Sequence, residues 1–281
     1  MNDRILKNLK LNLKQNKLSI LAIIIIMIFT FASLCASLST YDPNQIDPAN
    51  RLLRPDFKHF FGTDDMGRDY FTRALYGGRV SLMVGFMSMI ISTVIGTIVG
   101  AISGYFGGKI DDFIMRCIDI LMCIPTFFLI LVINSYLGAS VVNLICIIGF
   151  LGWMSIARIV RGETLSVKER EYVLYAKASG ENCFKIIIRH IIPSILPTII
   201  VSATINIATS ILLESSLSFL GVGITQPNAS WGSMLKDAQS YLMDAPYLAF
   251  FPGMIILLTV LSFNLIGDTL RNVFEAKAND R

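Results

Sequence analysis

Few side chains in this sequence of 281 residues have the types and spacing that catalysis or metal binding requires. Its five cysteines include no C-x-x-C pair, and with only two histidines they indicate free thiols rather than a Cys/His metal site. The nearest approach to a phosphate-binding loop ends at Lys109, but Ser103 stands where its first glycine should be and Ile110 follows the lysine. We find no catalytic triad or acid dyad. The sequence therefore predicts a chain that is not an enzyme and that binds neither a metal nor ATP itself.

The polar residues of most interest lie inside apolar stretches, because an ionisable group within a membrane is costly and usually has a function. Glu214 lies near the end of one such stretch, beside Ser215 and Ser218. Two interpretations stay open for this acid. It extends to the membrane surface, or with the serines it borders the outer gate of a transport pathway. Arg116 and Asp119 are three residues apart on one helical face, which predicts a structural ion pair.

A second polar group is the stretch FGTDDMGRD at residues 61–69. Its glycines permit tight turns, and its acids can pair with its arginine. One interpretation is an ordered cap held by local ion pairs. The other is a docking surface for a substrate-delivering protein, or a lining of the outer mouth. The residues concerned are Phe61, Gly62, Thr63, Asp64, Gly67, Arg68 and Asp69.

The elements that position these residues follow from composition. Apolar residues make up 54% of the chain and charged ones 16%, with a mean hydropathy of +0.63, whereas an average soluble domain has about 25% charged residues. Disorder, collagen and coiled coil are excluded, and the net charge of +4 is too small to indicate nucleic-acid binding. We predict an all-α, polytopic membrane protein with six transmembrane helices. The uncharged blocks place four of them at 18–38, 81–108, 191–213 and 245–267. The remaining block, 120–157, is too long for one crossing, and the turn-forming Asn, Gly and Ser residues at 134–140 divide it into two spans at about 113–133 and 141–160.

The distribution of Lys and Arg predicts the orientation. With the N-terminus inside, the inner segments hold 17 of the 24 basic residues, in accord with the positive-inside rule. Both termini are then cytoplasmic. Residues 1–40 form the inner N-terminus and first helix, 41–80 an outer segment, 81–270 five further helices, and 271–281 an inner tail. A cleaved signal peptide is the alternative for the first block, but its apolar core would span only about 7–15 residues.

The inner segment between the fourth and fifth helices, at about 163–190, is rich in charge and yet helical in pattern. Gly180 ends a short helix in the manner of a left-handed C-cap, and a second helical stretch then runs into Pro193. Two interpretations of this pair differ in what it contacts. It lies flat on lipid headgroups, or it docks its apolar side into the groove of a cytoplasmic partner.

The residues of this segment favour the second interpretation. Residues 171–180 read EYVLYAKASG, and residues 189–193 read RHIIP. This pattern resembles the coupling-helix motif of importer permeases in the ATP-binding-cassette family. That motif has Glu-Ala-Ala, three residues, Gly, nine residues and then an Ile-x-Leu-Pro-like ending. Leu stands here in place of the acid and Tyr in place of the first Ala. The resemblance implies that the segment contacts the ATPase. Its candidate residues are Tyr172, Val173, Leu174, Tyr175, Ala176, Gly180 and Pro193.

Further segments resemble a narrower group, the dipeptide, oligopeptide and nickel importer permeases. They are the 61–69 stretch together with FIMRCIDILMCIP at 113–125, ESSLSFLGVG at 214–223, Trp231-Gly232 and NLIGDTLR at 264–271. The resemblance implies the C-type permease subunit of an ATP-driven peptide importer in the cell membrane, surrounded by lipid. It implies as partners a homologous second permease, two ATP-binding subunits that hold ATP and Mg, and an extracytoplasmic substrate-binding protein. The alternatives are a nickel or metal-chelate importer of the same family and a proton-coupled secondary transporter.

Overall fold

The computed structural model describes residues 17–138 and 140–279, and over these residues the chain folds as helices and turns without a strand. The predicted N-terminal segment before residue 17 and the last two residues of the predicted tail lie outside that range. The all-α prediction is confirmed. The helices are α1 (Lys17–Leu34), α2 (Tyr70–Phe106), α3 (Gly108–Met122), α4 (Thr126–Leu137), α5 (Val141–Val167), α6 (Glu171–Ala178), α7 (Cys183–Phe219), α8 (Trp231–Ala238) and α9 (Tyr247–Asn279).

Five helices in the described residues are long and apolar enough to cross a membrane, and the bent pair α3–α4 makes a sixth span if it counts as one. This agrees with the six spans predicted. The second span begins earlier than its uncharged block, because Asp69 caps α2 by accepting a hydrogen bond from the Thr72 amide at 2.8 Å. Residues 70–80, predicted as part of the outer segment, are therefore helical.

The third span differs from the prediction of one helix over 113–133. It is broken between α3 and α4, whose axes differ by 75°. Pro125 lies in the break and explains it, since proline lacks the amide that would continue the helix and disfavours a helical residue before it. The predicted turn after this span is confirmed: α4 ends at Leu137 and Gly138 has φ +84°.

Close packing of α2 on α5 forms the centre of the bundle. Gly96, Gly100 and Gly104 lie one turn apart on α2 and face α5. A Cβ at these positions would come within 2.4–2.7 Å of α5 atoms, so only glycine allows this approach. The Gly-x-x-x-Gly steps in the sequence therefore mark a real helix–helix contact.

The remaining long helices close the bundle around this pair. α7 packs on α2, and α9 packs on both α7 and α1. The short helix α8 lies against α2, α7 and α9 at the end of the bundle where α7 stops. Its buried Trp231 fixes it there by donating an indole hydrogen bond to the Ala74 carbonyl at 3.0 Å.

Candidate functional site

Two side chains fasten the short helix α6 to the end of the bundle at which α5 stops and α7 begins. Val173 and Ala176 are buried among apolar residues of α2, α5 and α7, including Val167 and Ile187. They are therefore not available to a partner, and the prediction that they fill a partner's groove is wrong. The reason is spacing: residues three apart on a helix share a face, and here that face meets the chain's own core.

The opposite side of α6 is largely exposed, although the Tyr172 hydroxyl reaches Ser194 of α7. Tyr172, Leu174 and Tyr175 are all exposed, and Tyr175 has 76% of its surface accessible. Two of these three occupy motif positions at which the sequence departs from Glu-Ala-Ala. The departure has a physical consequence, since the side chain at the acid's position is an exposed leucine. Any contact that it makes is apolar.

The turn after α6 is held by two backbone hydrogen bonds. The Glu181 amide donates to the Ala176 carbonyl and the Gly180 amide to the Lys177 carbonyl, each at 3.1 Å, which is the Schellman arrangement. Gly180 has φ +77°. The predicted left-handed cap at Gly180 is confirmed.

Glu181, which the sequence interpretation did not single out, ties this turn to the start of α7. Its carboxylate lies 2.8 Å from His190 Nε2 and 3.2 Å from Lys185 Nζ. The hydrogen bond from His190 holds the pKa of Glu181 below its ordinary value, and Lys185 adds to the effect. Glu181 and Lys185 are four residues apart, a spacing from which their ion pair could have been predicted.

The second predicted short helix is not separate from the membrane span. It forms the first turns of α7, and Ile187–Ile191 adopts a wider π turn before the helix resumes at Ile192. Pro193 follows at once and cannot donate a backbone hydrogen bond. Tyr172 reaches this region from α6, with its hydroxyl 2.8 Å from Ser194 Oγ. The segment between α5 and the rest of α7 is thus one short helix braced against one long one.

Two ion pairs join α3 to α5 near the same end. Arg161 donates two hydrogen bonds of 2.5 Å to the Asp111 carboxylate. Asp119 pairs with Arg158 and not with Arg116, so the predicted pair within α3 is wrong. Asp119 pairs with Arg158 because α5 places that guanidinium directly beside the carboxylate.

The 61–69 stretch forms the ordered cap that one interpretation predicted. The Asp64 carboxylate accepts from Arg68 Nε at 2.6 Å, and Arg73 Nε of α2 lies 3.6 Å away. Thr63, Asp64, Arg68 and Asp69 are all buried. These four residues therefore do not present a docking surface in this conformation.

The glycines of this cap are required by its backbone. Gly67 has φ +77°, and a Cβ there would lie 1.8 Å from the Asp47 carbonyl oxygen. Gly62 has φ +76°, and a Cβ there would lie 2.4 Å from the Leu53 carbonyl oxygen. Phe61 stacks on Phe251 of α9 at 3.9 Å between ring centroids, which seats the cap on the bundle.

Glu214 is fully buried at the end of α7 near α8, with 0% of its surface accessible. Its carboxylate accepts from Ser81 Oγ of α2 at 2.8 Å and from Ser218 Oγ at 2.7 Å, and Ser215 Oγ lies 3.5 Å away. The interpretation that Glu214 extends to the membrane surface is wrong. Ser81 also accepts from the Trp231 amide at 3.2 Å, so one carboxylate joins α2, α7 and the start of α8. No feature of the sequence singled out Ser81, since it lies at the edge of an uncharged block.

Comparisons with known proteins place these features in a family. Residues 96–280 match the family model described as "Binding-protein-dependent transport system inner membrane component". The chain is 42% identical over 266 residues to the dipeptide transport system permease protein DppC of Alkalihalophilus pseudofirmus, covering 94% of this chain and 88% of that one. It is 41% identical over 257 residues to the oligopeptide transport system permease protein OppC of Escherichia coli, covering 91% and 85%. With OppC of Bacillus subtilis it shares 36% identity over 272 residues, covering 96% and 89%. The chain therefore belongs to the family of inner-membrane components of binding-protein-dependent transport systems, and it is a multi-pass membrane permease subunit.

Proposed function

We propose that this chain is the permease subunit of an ATP-driven importer of dipeptides or oligopeptides. The main support is that the chain is similar, over more than nine-tenths of its length, to permeases named for those substrates. These names favour peptides over nickel or a metal chelate. Membership of a family of binding-protein-dependent systems favours an importer of this kind over a proton-coupled secondary transporter.

Coupling to ATP hydrolysis runs through α6 in this proposal. Val173 and Ala176 fix the helix to the bundle, and the turn at Gly180 braces it. Leu174 and Tyr175 are exposed on the other side. A rigid helix with exposed aromatic and aliphatic side chains suits insertion into a partner's groove. Closure of two ATP-binding subunits would then move α6, and with it α5 and α7. ATP and Mg are held by those subunits, and a homologous second permease completes the pathway.

Removal of the exposed tyrosine tests the contact with the ATPase. Tyr175→Ala is expected to weaken the contact by about 2 kcal/mol or more, as for a buried tyrosine at the centre of an interface. The assay is co-purification of the ATP-binding subunits with the tagged permease, together with uptake of a labelled dipeptide. Tyr136→Ala is the matched control, because Tyr136 is 87% exposed on α4, at the far end of α5 from α6. Equal co-purification of both variants with the wild type would contradict the proposed contact.

The substrate is tested with the assembled transporter in proteoliposomes. In the presence of the substrate-binding protein, dipeptides and short oligopeptides are expected to stimulate ATP hydrolysis, and nickel salts are not. Stimulation by nickel or a nickel chelate alone would overturn the peptide assignment and leave the family assignment intact.

The proposed orientation has both termini in the cytoplasm and residues 41–69 outside. Single cysteines at Asn44 and Ser179, in a chain whose five native cysteines are replaced, test it. A membrane-impermeant thiol reagent added to sealed, right-side-out vesicles should label position 44 and spare position 179. Labelling of position 179 would refute the orientation.

A further inference from the structure

A pocket lies between the end of the first membrane helix, the outer segment and the start of α2. Its walls come from the turn Cys35–Leu38 that follows α1, from residues 57–60, and from the first turns of α2 near Phe71. We call this the rim pocket. It is distinct from the coupling helix and from the buried Glu214 group, and none of the transport functions proposed above uses it.

The rim pocket has an apolar side that the described part of the chain leaves uncovered. Phe57 is 98% exposed, Phe60 60% and Leu38 83%. Phe60 packs edge-on against Phe71 with 5.7 Å between ring centroids, so the aromatic wall is ordered. Large apolar side chains grouped in this way mark a surface that contacts another apolar body.

The polar side of the pocket carries one cation and one acid, and the acid is already occupied. Asp69 lies 2.8 Å from His59 Nδ1 and caps α2 through the Thr72 amide. Lys58 makes no ion pair within 4.0 Å among the described residues and lines the pocket beside Phe57. Asp56 lies near Lys58, but its carboxylate accepts from the Lys58 and His59 amides and does not line the pocket. The unpaired charge on the pocket lining is therefore positive.

The height of the pocket in the membrane identifies the kind of ligand. The first span, Lys17–Leu38, has 22 residues, or about 33 Å of helix, which matches a hydrocarbon core of about 30 Å. Leu38 therefore lies at the boundary between acyl chains and headgroups, where Tyr and Trp rings and snorkelling Lys side chains are favoured. Tyr41 and Lys58 both line the pocket. Leu34, the exposed last residue of α1, is followed directly by Cys35, which lines the pocket.

We infer that the rim pocket binds a phospholipid of the outer leaflet, with the acyl chain against Phe57 and Phe60 and the phosphate at Lys58. An amphiphile matches both sides of the pocket, and its apolar part is continuous with the surface that α1 presents to lipid. The bound lipid would hold the outer segment at a fixed height beside the mouth of the permease. This inference rests on α1 spanning the bilayer and on the proposed orientation. It does not depend on the cargo.

Fluorescence quenching in nanodiscs tests the contact with lipid. Phe57→Trp is introduced into the full chain, and the signal of the two native tryptophans is subtracted using the wild type. Phospholipid brominated near the headgroup end of its acyl chains is expected to quench most of the added fluorescence. Ile46→Trp is the matched control, because Ile46 is an exposed aliphatic residue of the same outer segment that does not line the pocket. Equal quenching at positions 46 and 57, or none at 57, would overturn the inference.

The headgroup is tested at Lys58 in the Phe57→Trp background. Brominated phosphatidylglycerol diluted into phosphatidylcholine should quench more strongly than brominated phosphatidylcholine at the same fraction, with an enrichment of about fivefold for one lysine. Lys58→Gln should abolish this preference and Lys58→Arg should keep it. A preference that is absent with Lys58 present, or unchanged in Lys58→Gln, would refute the assigned phosphate contact. If the substrate-binding protein protects position 57 from quenching, the pocket belongs to that protein and the inference falls.

Discussion

Replacement of Gly180 tests the coupling helix most directly, because the structure isolates a single physical cause. Gly180 has φ +77°, and a Cβ built there meets no atom within 4 Å. A substitution therefore costs backbone strain alone, with no added clash. A non-glycine residue in a sparsely populated region costs about 1–3 kcal/mol. Valine lies at the high end because its branched Cβ disfavours positive φ, and asparagine lies at the low end because it tolerates the left-handed region.

The backbone strain at position 180 is expected to change the orientation of α6. With Gly180→Val the Schellman turn is expected to open, so that the exposed side chains Leu174 and Tyr175 are no longer held in fixed positions. A cost of about 1–3 kcal/mol lowers the fraction of correctly seated helices by up to about 5- to 150-fold. The membrane spans are unchanged, so insertion should be normal. We expect dipeptide uptake to fall in the order wild type, Gly180→Asn, Gly180→Ala, Gly180→Val.

The assay measures peptide uptake and co-purification of the ATP-binding subunits at equal amounts of permease in the membrane. Gly162→Ala serves as the control, because Gly162 lies in α5 at negative φ with open space around its Cβ. A helix pair that merely lies on lipid would leave transport normal in every variant. Wild-type uptake by Gly180→Val would therefore refute the reasoning, and so would equal defects in the Asn and Val variants.

Three further substitutions probe the outer and inner contacts. Glu214→Ala should lower the free energy of unfolding by about 2–5 kcal/mol, because it opens a cavity and leaves buried serine hydroxyls without their acceptor. The measurement is the melting temperature in detergent, and Glu214→Gln should lower it less. Gly67→Ala should expose the outer segment to protease far more than Gly108→Ala does, since both glycines have positive φ but only at 67 would Cβ meet a backbone atom, the Asp47 oxygen. Glu181→Gln should lower the melting temperature at neutral pH, and the difference from wild type should shrink on acidification. The folded-state pKa of Glu181 lies below its ordinary value of 4.5, so its stabilisation is present above that value and is lost as pH falls through the folded pKa. A constant difference across this range would contradict the role given to its histidine partner.

Local chemistry was predictable from the sequence wherever one residue decides the outcome. The cap at Gly180 and the turn at Gly138 depend on neighbouring residues alone, and both were predicted. The break at Pro125 depended on an equally local signal, but the apolar run on either side of it suggested one continuous helix.

The start of α2 was missed for a different reason. A search for uncharged blocks stops at Arg79 and Arg73, yet both arginines lie within the helix. Arg79 donates to the Ser33 and Leu34 carbonyls at the end of α1, at 2.6 and 2.7 Å. Arg73 donates to the Pro43 carbonyl at 3.1 Å. These carbonyl groups lie in segments distant in sequence, and no pattern within α2 reveals them.

The environment of Glu214 shows what helical periodicity can predict and what it cannot. Ile207, Ile211, Glu214 and Ser218 recur at intervals of three and four residues, so they share one face of α7. All four are buried. The sequence contains that face, but large apolar residues lie on every side of α7, so the pattern does not indicate which side is inward. Glu214 would reach the membrane surface only from a face directed at lipid. Its inward direction is set by the hydroxyl of Ser81 on α2 and by α8 folding back over the bundle, which are tertiary facts. For the same reason α6 was predicted to direct Val173 outward, when the core beneath it fixes the opposite orientation.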